Sequence, residues 1–583
     1  MNQQRYALVA AIDFGTTFSS WAFSFLHDYK SDPTKIYTKN WNSGKVISPK
    51  APTTVLIRSD RKTLEAFGYE AEDKYTELAL DGKHSKWYYF RRFKMALYDD
   101  KQLHRKKEIE DETGKNLPAM TVISLAIDHL RNDLLSECSR QLSGEMPESS
   151  IQWVLTVPAI WNDKARRFMR EAAIQAGIQD DHLIIALEPE AASIYCRHIP
   201  LKAMSSEGKT AIVPLTEGTR YIVIDAGGGT LDTTIHEVMR DGNLKELHKA
   251  TGGSWGGQEV DESFKQFLIK IFGTSVFLQF KKEAMDDFVG IFREFEIKKR
   301  KVFPDGEGKC VITLPTILVE IFEKKTKTNL GKAIAATPFA SQLELTKGLK
   351  LKIDNSLMKE FFYKVVNGAA HHVQPFHDAE NEYNISVALI VGGFSESPML
   401  ASAVKKACPS WNVVVPDDAG LVVLKGAVLF GHDASVITYR VCRYTYGIGI
   451  KVPFKDGVHR TDLLYTTLDG RRYCTNVFSP VIEEGTLFKA GDIAHDSNYS
   501  PVDENSDKFL IRIYTATDRD AKYITDDCCT FVGKLTVDQL DMSKSCSDRT
   551  CRIKITFGNT EIHVESTDIS TGRRLKTSFD CLD

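Results

Sequence analysis

The chain has 583 residues, which exceeds one ordinary hydrophobic core and predicts two or more domains. Hydrophobic residues make up 42% of it and charged residues 26%, a balance typical of a soluble globular protein. The formal net charge of −3 argues against a nucleic acid or an anionic membrane surface as the partner.

The first residues and the cysteines indicate the compartment. The first apolar stretch meets Asp13 after a few residues and no cleavage-site pattern follows, so we expect no secretory signal. No stretch approaches the roughly 20 apolar residues that a membrane span needs. The 11 cysteines are scattered, and reduced thiols are the default without a signal. We therefore expect a cytoplasmic or nucleocytoplasmic protein.

Two acidic turns rich in glycine and threonine lie far apart in the chain. Residues 13–17 follow the apolar run 8–12, and residues 225–232 follow the run 221–224. Each run predicts a buried strand that ends in a tight turn. Small residues let backbone N–H groups approach phosphate oxygens, and threonine hydroxyls add donors. Two such turns indicate a duplicated fold that holds one nucleotide between its halves.

The aspartates of these turns require a cation. Asp13 and Asp225 cannot contact phosphate directly, because like charges repel. A hydrated Mg²⁺ between carboxylate and phosphate explains them, since this ion keeps much of its water shell. The alternative is that each aspartate only forms its turn and has no ligand.

The character of the chain changes near residue 439. Before it, apolar strands alternate with helices, such as one that Asn162 begins and Gly177 ends. Residues 201–218 are polar and without periodicity, which predicts a surface linker between two lobes. After it, segments alternate between apolar and polar residues, which predicts antiparallel β structure; they are residues 444–450, 508–514 and 551–557.

These patterns predict two domains. The first spans residues 1–437, with lobes of about 1–205 and 206–437, and the β-rich second domain spans residues 438–583.

Six segments, taken in order, resemble the heat shock protein 70 family. Together they are specific, whereas a lone glycine pair would not be. They are residues 12–19, 156–163, 188–192, 225–232, 251–261 and 390–398. Three further segments resemble the divergent heat shock 70 kDa protein 12 branch of this family; they are residues 87–97, 295–300 and 424–431.

The resemblance implies an α/β fold, the actin-like ATPase fold of two duplicated ribonuclease-H-like lobes. A smaller, mainly-β C-terminal domain would follow. Residues 438–583 are too few for both a peptide-binding sandwich and a helical lid, so we expect no lid. ATP or ADP and Mg²⁺ would be the cofactors, and client or adaptor proteins would bind the β domain.

The family's motifs also imply individual roles. Asp13 and Asp225 would hold Mg²⁺ through water, and Glu188 would order the attacking water. Lys94 would face the γ-phosphate, with Arg92 as the second candidate. Phosphate donors would be Gly15, Thr16, Thr17, Gly227, Gly228, Gly229 and Thr230. The other nucleotide-binding positions would be Gly252, Gly253, Glu296, Lys299, Arg300, Gly392, Gly393 and Phe394.

Purely structural roles remain as alternatives for several of these residues. Glu188 could equally be an acid at a helix start, and the basic residues could form solvated helix faces.

Three departures from the family affect the expected function. Glu190 stands where relatives carry threonine, and the added charge near the site is expected to slow catalysis. Glu396 replaces an arginine that stacks on adenine, which removes a cation–π partner. The linker at residues 434–440 is shorter and less apolar than in relatives, which predicts weak coupling between domains.

Two functions follow from this pattern. The first is an ATP-binding chaperone that hydrolyses ATP slowly and whose lobe closure modulates the β domain. The second is a nucleotide-sensing adaptor with little or no ATPase activity, which the departures favour. A sugar or acetate kinase shares the fold but does not match residues 156–163 or the β-rich end.

Overall fold

The computed structural model describes most of the chain. The described residues are 6–42, 47–100, 102–142, 144, 146–204, 210–501, 508–538, 543, 545, 548–558, 560–569, 571–578 and 582. The predicted lobe boundary near residue 205 lies outside them.

A six-stranded sheet carries the first acidic turn. Its hairpin Leu8–Phe14 and Phe18–Phe25 is antiparallel, and Leu8–Phe14 also pairs in parallel with Ile151–Val157. The other strands are Leu183–Leu187, Tyr37–Thr38 and Ala51–Pro52. Every residue of Leu8–Phe14 is buried, because helices cover both faces of the sheet. Burial on both faces explains why this strand is a continuous apolar run.

A seven-stranded sheet carries the second acidic turn and repeats this arrangement. Arg220–Ala226 pairs antiparallel with Leu231–Val238 and parallel with Val387–Val391. The order of the sheet is Asn412–Val414, Val387–Val391, Arg220–Ala226, Leu231–Val238, Leu244–Gly253, Ile437–Val441 and Leu487–Lys489. Each acidic turn thus connects the first two strands of a hairpin that has a parallel neighbour.

Fifteen α-helices are described. They are Leu26–Ser31, Gly68–Leu80, Ala119–Leu142, Asp163–Gln175, Glu188–Cys196, Gln258–Phe272, Thr274–Glu283, Met285–Lys299, Thr316–Thr326, Leu330–Ala335, Asn355–Glu360, Tyr363–Asp378, Glu380–Tyr383, Pro398–Ala407 and Val422–His432. Asn162 caps the fourth as predicted, since its side chain accepts the N–H of Ala165 at 2.9 Å. Within the described ranges, no helix has the length and apolarity to cross a bilayer.

Smaller β elements join these parts. They are Trp41–Asn42 with Ile47–Ser48; Leu64–Phe67, Thr54–Ile57 and Tyr88–Arg91; Glu108–Glu110 with Asn116–Pro118; Lys202–Met204 with Thr210–Ile212; and Lys309–Thr313, Lys350–Asp354 and Leu343–Thr346.

The C-terminal part consists of two further sheets. One has the order Leu464–Thr466, Arg472–Ile482, Thr445–Pro453, Lys508–Ala516 and Cys529–Asp538. The other has the order Ile493–Tyr499, Cys551–Phe557, Ile562–Asp568 and Arg574–Ser578. Alternate residues of Cys551–Phe557 are buried, because only one face of the strand packs on the core. After His432, the described part of the chain contains no α-helix.

The second half of the interdomain linker predicted at residues 434–440 forms a strand of a sheet. Ile437–Val441 pairs in parallel with Leu244–Gly253 of the second sheet and antiparallel with Leu487–Lys489 of the C-terminal part. The chain therefore passes between the predicted domains along a hydrogen-bonded strand, and residue 437 is its first residue.

The contact between two buried helices depends on Gly426. A Cβ atom there would lie 1.7 Å from the backbone oxygen of Ala191, where Val422–His432 packs on Glu188–Cys196. We expect Gly426→Ala to lower the free energy of unfolding by roughly 1–3 kcal/mol, because the helices must move apart. Urea denaturation measures this change.

Gly290→Ala is the matched control, since a Cβ atom on this exposed helical glycine meets nothing within 4 Å. It is expected to leave stability unchanged or to raise it by up to about 1 kcal/mol. Equal losses in both variants would contradict the packing argument.

Candidate functional site

A cavity of about 1240 Å³, counted with the solvent at its mouth, lies between the two acidic turns. Most of the predicted site residues line it. They are Asp13, Gly15, Thr16, Thr17, Lys94, Glu188, Asp225, Gly227, Gly228, Gly229, Thr230, Glu296, Lys299, Arg300, Gly392, Gly393 and Phe394. The fold therefore brings together residues that lie up to 381 positions apart in the chain.

Hydrogen bonds fix the shape of the first turn. The Gly15 N–H donates to Ser19 Oγ at 3.1 Å, and Thr53 Oγ1 donates to the Gly15 oxygen at 2.7 Å. A Cβ atom on Gly15 would lie 2.2 Å from the oxygen of Phe18. Only glycine fits this bend, which leaves Thr16 and Thr17 facing the cavity.

The second turn packs directly on the first. A Cβ atom on Gly228 would lie 1.9 Å from Thr17 Oγ1, and one on Gly229 would lie 2.9 Å from Thr16 Oγ1. The Gly227 N–H donates to the Thr230 oxygen at 2.9 Å and closes the turn. Glycine here lets the two backbones approach each other across the cavity.

Four buried carboxyl groups gather at the base of the cavity. Asp13, Asp225, Glu188 and Asp232 are each 9% exposed or less. Burial is the main cause that holds the pKa of Asp225 well above its ordinary value, and repulsion by the charge of Glu188 is the second. Burial likewise raises the pKa of Glu188 to about 7, although Lys94 opposes the shift. These acids repel one another, so the cavity favours a cation.

Lys94 lies at this base and Arg92 does not. Lys94 is 1% exposed, and its Nζ atom is 3.0 Å from Glu188 Oε1 and 5.0 Å from the Trp161 ring. Arg92 adopts the left-handed conformation, with φ of 56°, and pairs with Asp261 at 2.6 Å. The left-handed residue turns the chain so that Lys94, and not Arg92, lines the cavity.

A second group of residues lines the far end of the cavity. Lys299 pairs with Asp261 at 2.7 Å and with Glu296 at 2.5 Å. Arg300 lies 5.7 Å from the Phe18 ring and 3.5 Å from Glu396 Oε2. Glu396 thus has a cationic partner at the mouth of the cavity.

The glycine pair opens this end for a flat ligand. Gly392 has a φ of 89°, and a Cβ atom there would lie 2.3 Å from Asp225 Oδ1. At Gly393 a Cβ atom would meet no atom of the described residues within 4 Å. Phe394 stacks on Phe362 with ring centroids 6.3 Å apart.

Gly252 and Gly253 are placed differently from the prediction. Neither lines the cavity, because both belong to the strand Leu244–Gly253 and pack behind the second turn. A Cβ atom on Gly252 would lie 2.0 Å from the Leu231 oxygen, and one on Gly253 would lie 3.0 Å from the Trp255 ring. Gly257, four residues later, lines the cavity in their place.

Glu190 also faces away from the cavity, which corrects its expected effect on the site. Residues two apart on a helix point in nearly opposite directions, so Glu188 and Glu190 face different sides of Glu188–Cys196. Both Glu190 oxygens accept hydrogen bonds from Arg440, at 3.1 and 2.9 Å. The carboxylate of Glu190 is therefore paired with Arg440 and does not line the cavity.

The sequence reasoning assigned no role to three polar residues at the base. Lys50 pairs with Asp13 at 2.5 Å, and Thr156 Oγ1 donates to the same carboxylate at 2.9 Å. One oxygen of Asp232 accepts the N–H of Ile160 at 2.8 Å, and the other has no hydrogen-bond partner among the described residues. Asp232 and Thr156 belong to recognised motifs, whereas no motif contains Lys50.

The donor set fits a nucleotide with a hydrated cation. Clustered carboxyl groups with raised pKa values need positive charge, and the unpartnered Asp232 oxygen can accept a hydrogen bond from a water. The described residues hold no group of three or more His, Cys, Asp or Glu arranged for direct metal ligation. Binding through water does not require such a group.

Comparisons with known proteins show what this chain is similar to. The family described as Hsp70 protein matches residues 92–299. The chain is 33% identical over 633 residues to human heat shock 70 kDa protein 12A. This alignment covers 100% of this chain and 92% of that protein. It is 34% identical over 640 residues to human heat shock 70 kDa protein 12B, with the same coverage. It is 25% identical over 329 residues to the chaperone protein dnaK of Cyanidium caldarium, over 55% of this chain and 46% of that protein.

Glu246, behind the cavity, makes stability depend on pH. Burial and then the charge of Glu190 raise its pKa to about 8, while it accepts the Val441 N–H at 2.8 Å. The folded state therefore keeps a proton that the unfolded state has lost above its ordinary pKa. We expect the free energy of unfolding to fall between pH 5 and 8, by up to about 1.4 kcal/mol per pH unit.

Glu246→Gln should flatten this part of the stability profile, measured by urea denaturation at several pH values. The exposed Glu262→Gln is the matched control and should leave the slope as it is. An unchanged slope in Glu246→Gln would refute the assignment.

Proposed function

Because the chain belongs to the heat shock protein 70 family, in its divergent protein 12 branch, we propose that it binds ATP and ADP with Mg²⁺ and hydrolyses ATP slowly. One observation carries the proposal. The two acidic turns contact each other at one cavity whose base holds Asp13, Asp225, Glu188 and Lys94.

The two turns would bind the phosphate chain. Residues 15–17 and 227–230 line the cavity, including Thr16, Thr17 and Thr230 with their hydroxyls. The N–H groups of Gly15 and Gly227 are bonded within the turns, so the other N–H groups of these residues would donate to phosphate. Asp13 and Asp225 would hold waters of a Mg²⁺, which supplies positive charge to the β- and γ-phosphates when bound. The open backbone at Gly393 and the ring of Phe394 would lie against the base.

Glu188 and Lys94 would carry out hydrolysis. An ionised Glu188 can orient a water and accept its proton, and Lys94 can stabilise the charge that develops on the leaving phosphate. In this structure the two side chains are 3.0 Å apart and neutralise each other. Burial raises the pKa of Glu188, so its ionised form is less favourable here than on an exposed glutamate, which supports slow turnover.

The proposed nucleotide-binding domain spans residues 1–437, in two actin-like lobes, and the β-rich domain spans 438–583. Several side-chain hydrogen bonds join them. Glu561 of the β domain accepts two hydrogen bonds from Arg170, at 2.8 and 2.5 Å, and Thr560 Oγ1 donates to the Ile185 oxygen at 2.7 Å.

The Glu190–Arg440 pair is the proposed route of coupling. Both side chains are buried, and Glu190 lies on the same helix as Glu188. A shift of that helix on nucleotide binding would strain a buried ion pair, which tolerates little displacement. The β domain would then present its surface to client or adaptor proteins in the cytoplasm according to the bound nucleotide.

A nucleotide-sensing adaptor without significant hydrolysis is the second candidate. The Arg300–Glu396 pair at the cavity mouth favours it. Arg300 is a predicted nucleotide-binding residue, and the carboxylate of Glu396 competes with a nucleotide for its charge. Measurement of the chemical step separates the two candidates.

Glu188→Gln tests the enzymatic function. We expect single-turnover ATP hydrolysis to fall by about a hundredfold or more, since the water loses its base. Affinity for Mg-ATP should stay within a few fold, whereas Asp225→Asn should lower that affinity. If the wild-type protein binds ATP but hydrolyses it no faster than Glu188→Gln, the enzymatic function is refuted and the adaptor function remains.

Arg440→Ala tests the coupling. It leaves Glu190 buried without its partner, at a cost of roughly 3–5 kcal/mol, so the strand Ile437–Val441 should detach more often. Limited proteolysis should cut residues 434–441 faster, with a pattern that no longer depends on ATP.

Arg472→Ala is the matched control, because its ion pair with Asp456 is exposed. It should be digested like the wild type, with and without ATP. The same cleavage pattern in Arg440→Ala and wild type would argue against the coupling.

A further inference from the structure

Lys50 is a partly buried cation that lines the cavity, and nothing in the proposed function uses it. It follows Ile47–Ser48 and precedes Ala51–Pro52, which pairs with Phe18 and Ser19 next to the first turn. Beyond that strand the Thr53 N–H donates to the Thr17 oxygen at 2.8 Å. Lys50 is thus fixed to the backbone of the first turn.

The ammonium group of Lys50 forms an ion pair with Asp13, the carboxylate that would hold waters of the metal. Lys50 Nζ is 2.5 Å from Asp13 Oδ2, and its side chain is 14% exposed. Asp13 Oδ1 already accepts the Thr156 hydroxyl at 2.9 Å. Both oxygens of Asp13 therefore have donors, and one of these donors is a full positive charge.

Lys50 differs from the other lysines of the cavity in the carboxylate that it contacts. Lys94 is paired with Glu188 at 3.0 Å, and Lys299 is paired with Asp261 and Glu296. Lys50 instead lies between the two acidic turns, where its charge also acts on Asp225. A lysine ammonium is a compact charge on a flexible stem, so it can move from a carboxylate to a nearby phosphate.

We propose that Lys50 is a resident counterion for the nucleotide phosphates, so that ATP and ADP bind to this chain even without a divalent cation. The inference rests on the proposed nucleotide binding at this cavity. With Mg²⁺ present, the ammonium and the hydrated ion share Asp13, and their mutual repulsion limits what the metal adds to affinity. Without Mg²⁺, the ammonium balances phosphate charge that Asp13 and Asp225 would otherwise repel.

The test compares nucleotide affinity with and without metal. Titration calorimetry of the full chain with ADP is run in MgCl₂ and in EDTA. We expect the wild-type affinity to fall less than about tenfold in EDTA. In Lys50→Met the EDTA affinity should fall roughly ten- to a hundredfold further, the loss of one charge-assisted hydrogen bond. Its affinity in MgCl₂ should stay within about threefold of wild type, because the metal regains Asp13.

Two further variants control this comparison. Lys50→Arg keeps the charge and should keep binding in EDTA, which guards against a Lys50→Met protein that fails to fold. Lys39→Met removes a partly buried cation that lies outside the cavity and pairs with Asp133 at 2.7 Å, and it should leave the metal dependence unchanged.

The outcomes separate this inference from the proposed function. Wild-type binding that needs Mg²⁺ as strictly as Lys50→Met, or a Lys50→Met protein weakened equally in both buffers, would overturn the role of Lys50 alone. A wild-type chain that binds no nucleotide in either buffer would overturn the proposed function itself.

Discussion

Repulsion among buried carboxyl groups is the constraint on which the rest of this structure depends. Asp13 and the paired Asp225 and Asp232 come from strands of the two sheets, Glu188 begins a helix, and these four carboxyl groups act on one another at the base of the cavity. Such a cluster is costly unless positive charge or protons compensate it. The protein does both, through Lys50 and Lys94 and through the raised pKa values of Asp225 and Glu188. A ligand that brings its own cation relieves the same repulsion.

The helix Glu188–Cys196 connects this cavity with the C-terminal sheets. One of its faces presents Glu188 to Lys94, and the opposite face presents Glu190 to Arg440. Its far side packs on Val422–His432, where Gly426 allows close approach. One helix therefore carries both a carboxylate of the cavity and the carboxylate that pairs with Arg440 of the strand Ile437–Val441.

Much of this arrangement follows from local sequence. The runs 8–12 and 221–224 form buried strands, and each ends at the acidic turn that its glycines and threonines predict. The family resemblance and its protein 12 branch are confirmed by similarity along the whole chain. Lys94 lines the cavity while Arg92 does not, a choice that the motif alone left open.

Local sequence is enough to predict the strands, the turns and the family, because these depend on apolar periodicity and on residues adjacent in the chain. Which charges meet depends on how distant elements pack. The tertiary structure paired Glu190 with Arg440, 250 residues away, and Lys50 with Asp13, and it set Gly252 and Gly253 behind the second turn. A side chain's partner depends on the direction in which its helix or strand faces a distant neighbour, and no local pattern encodes that direction.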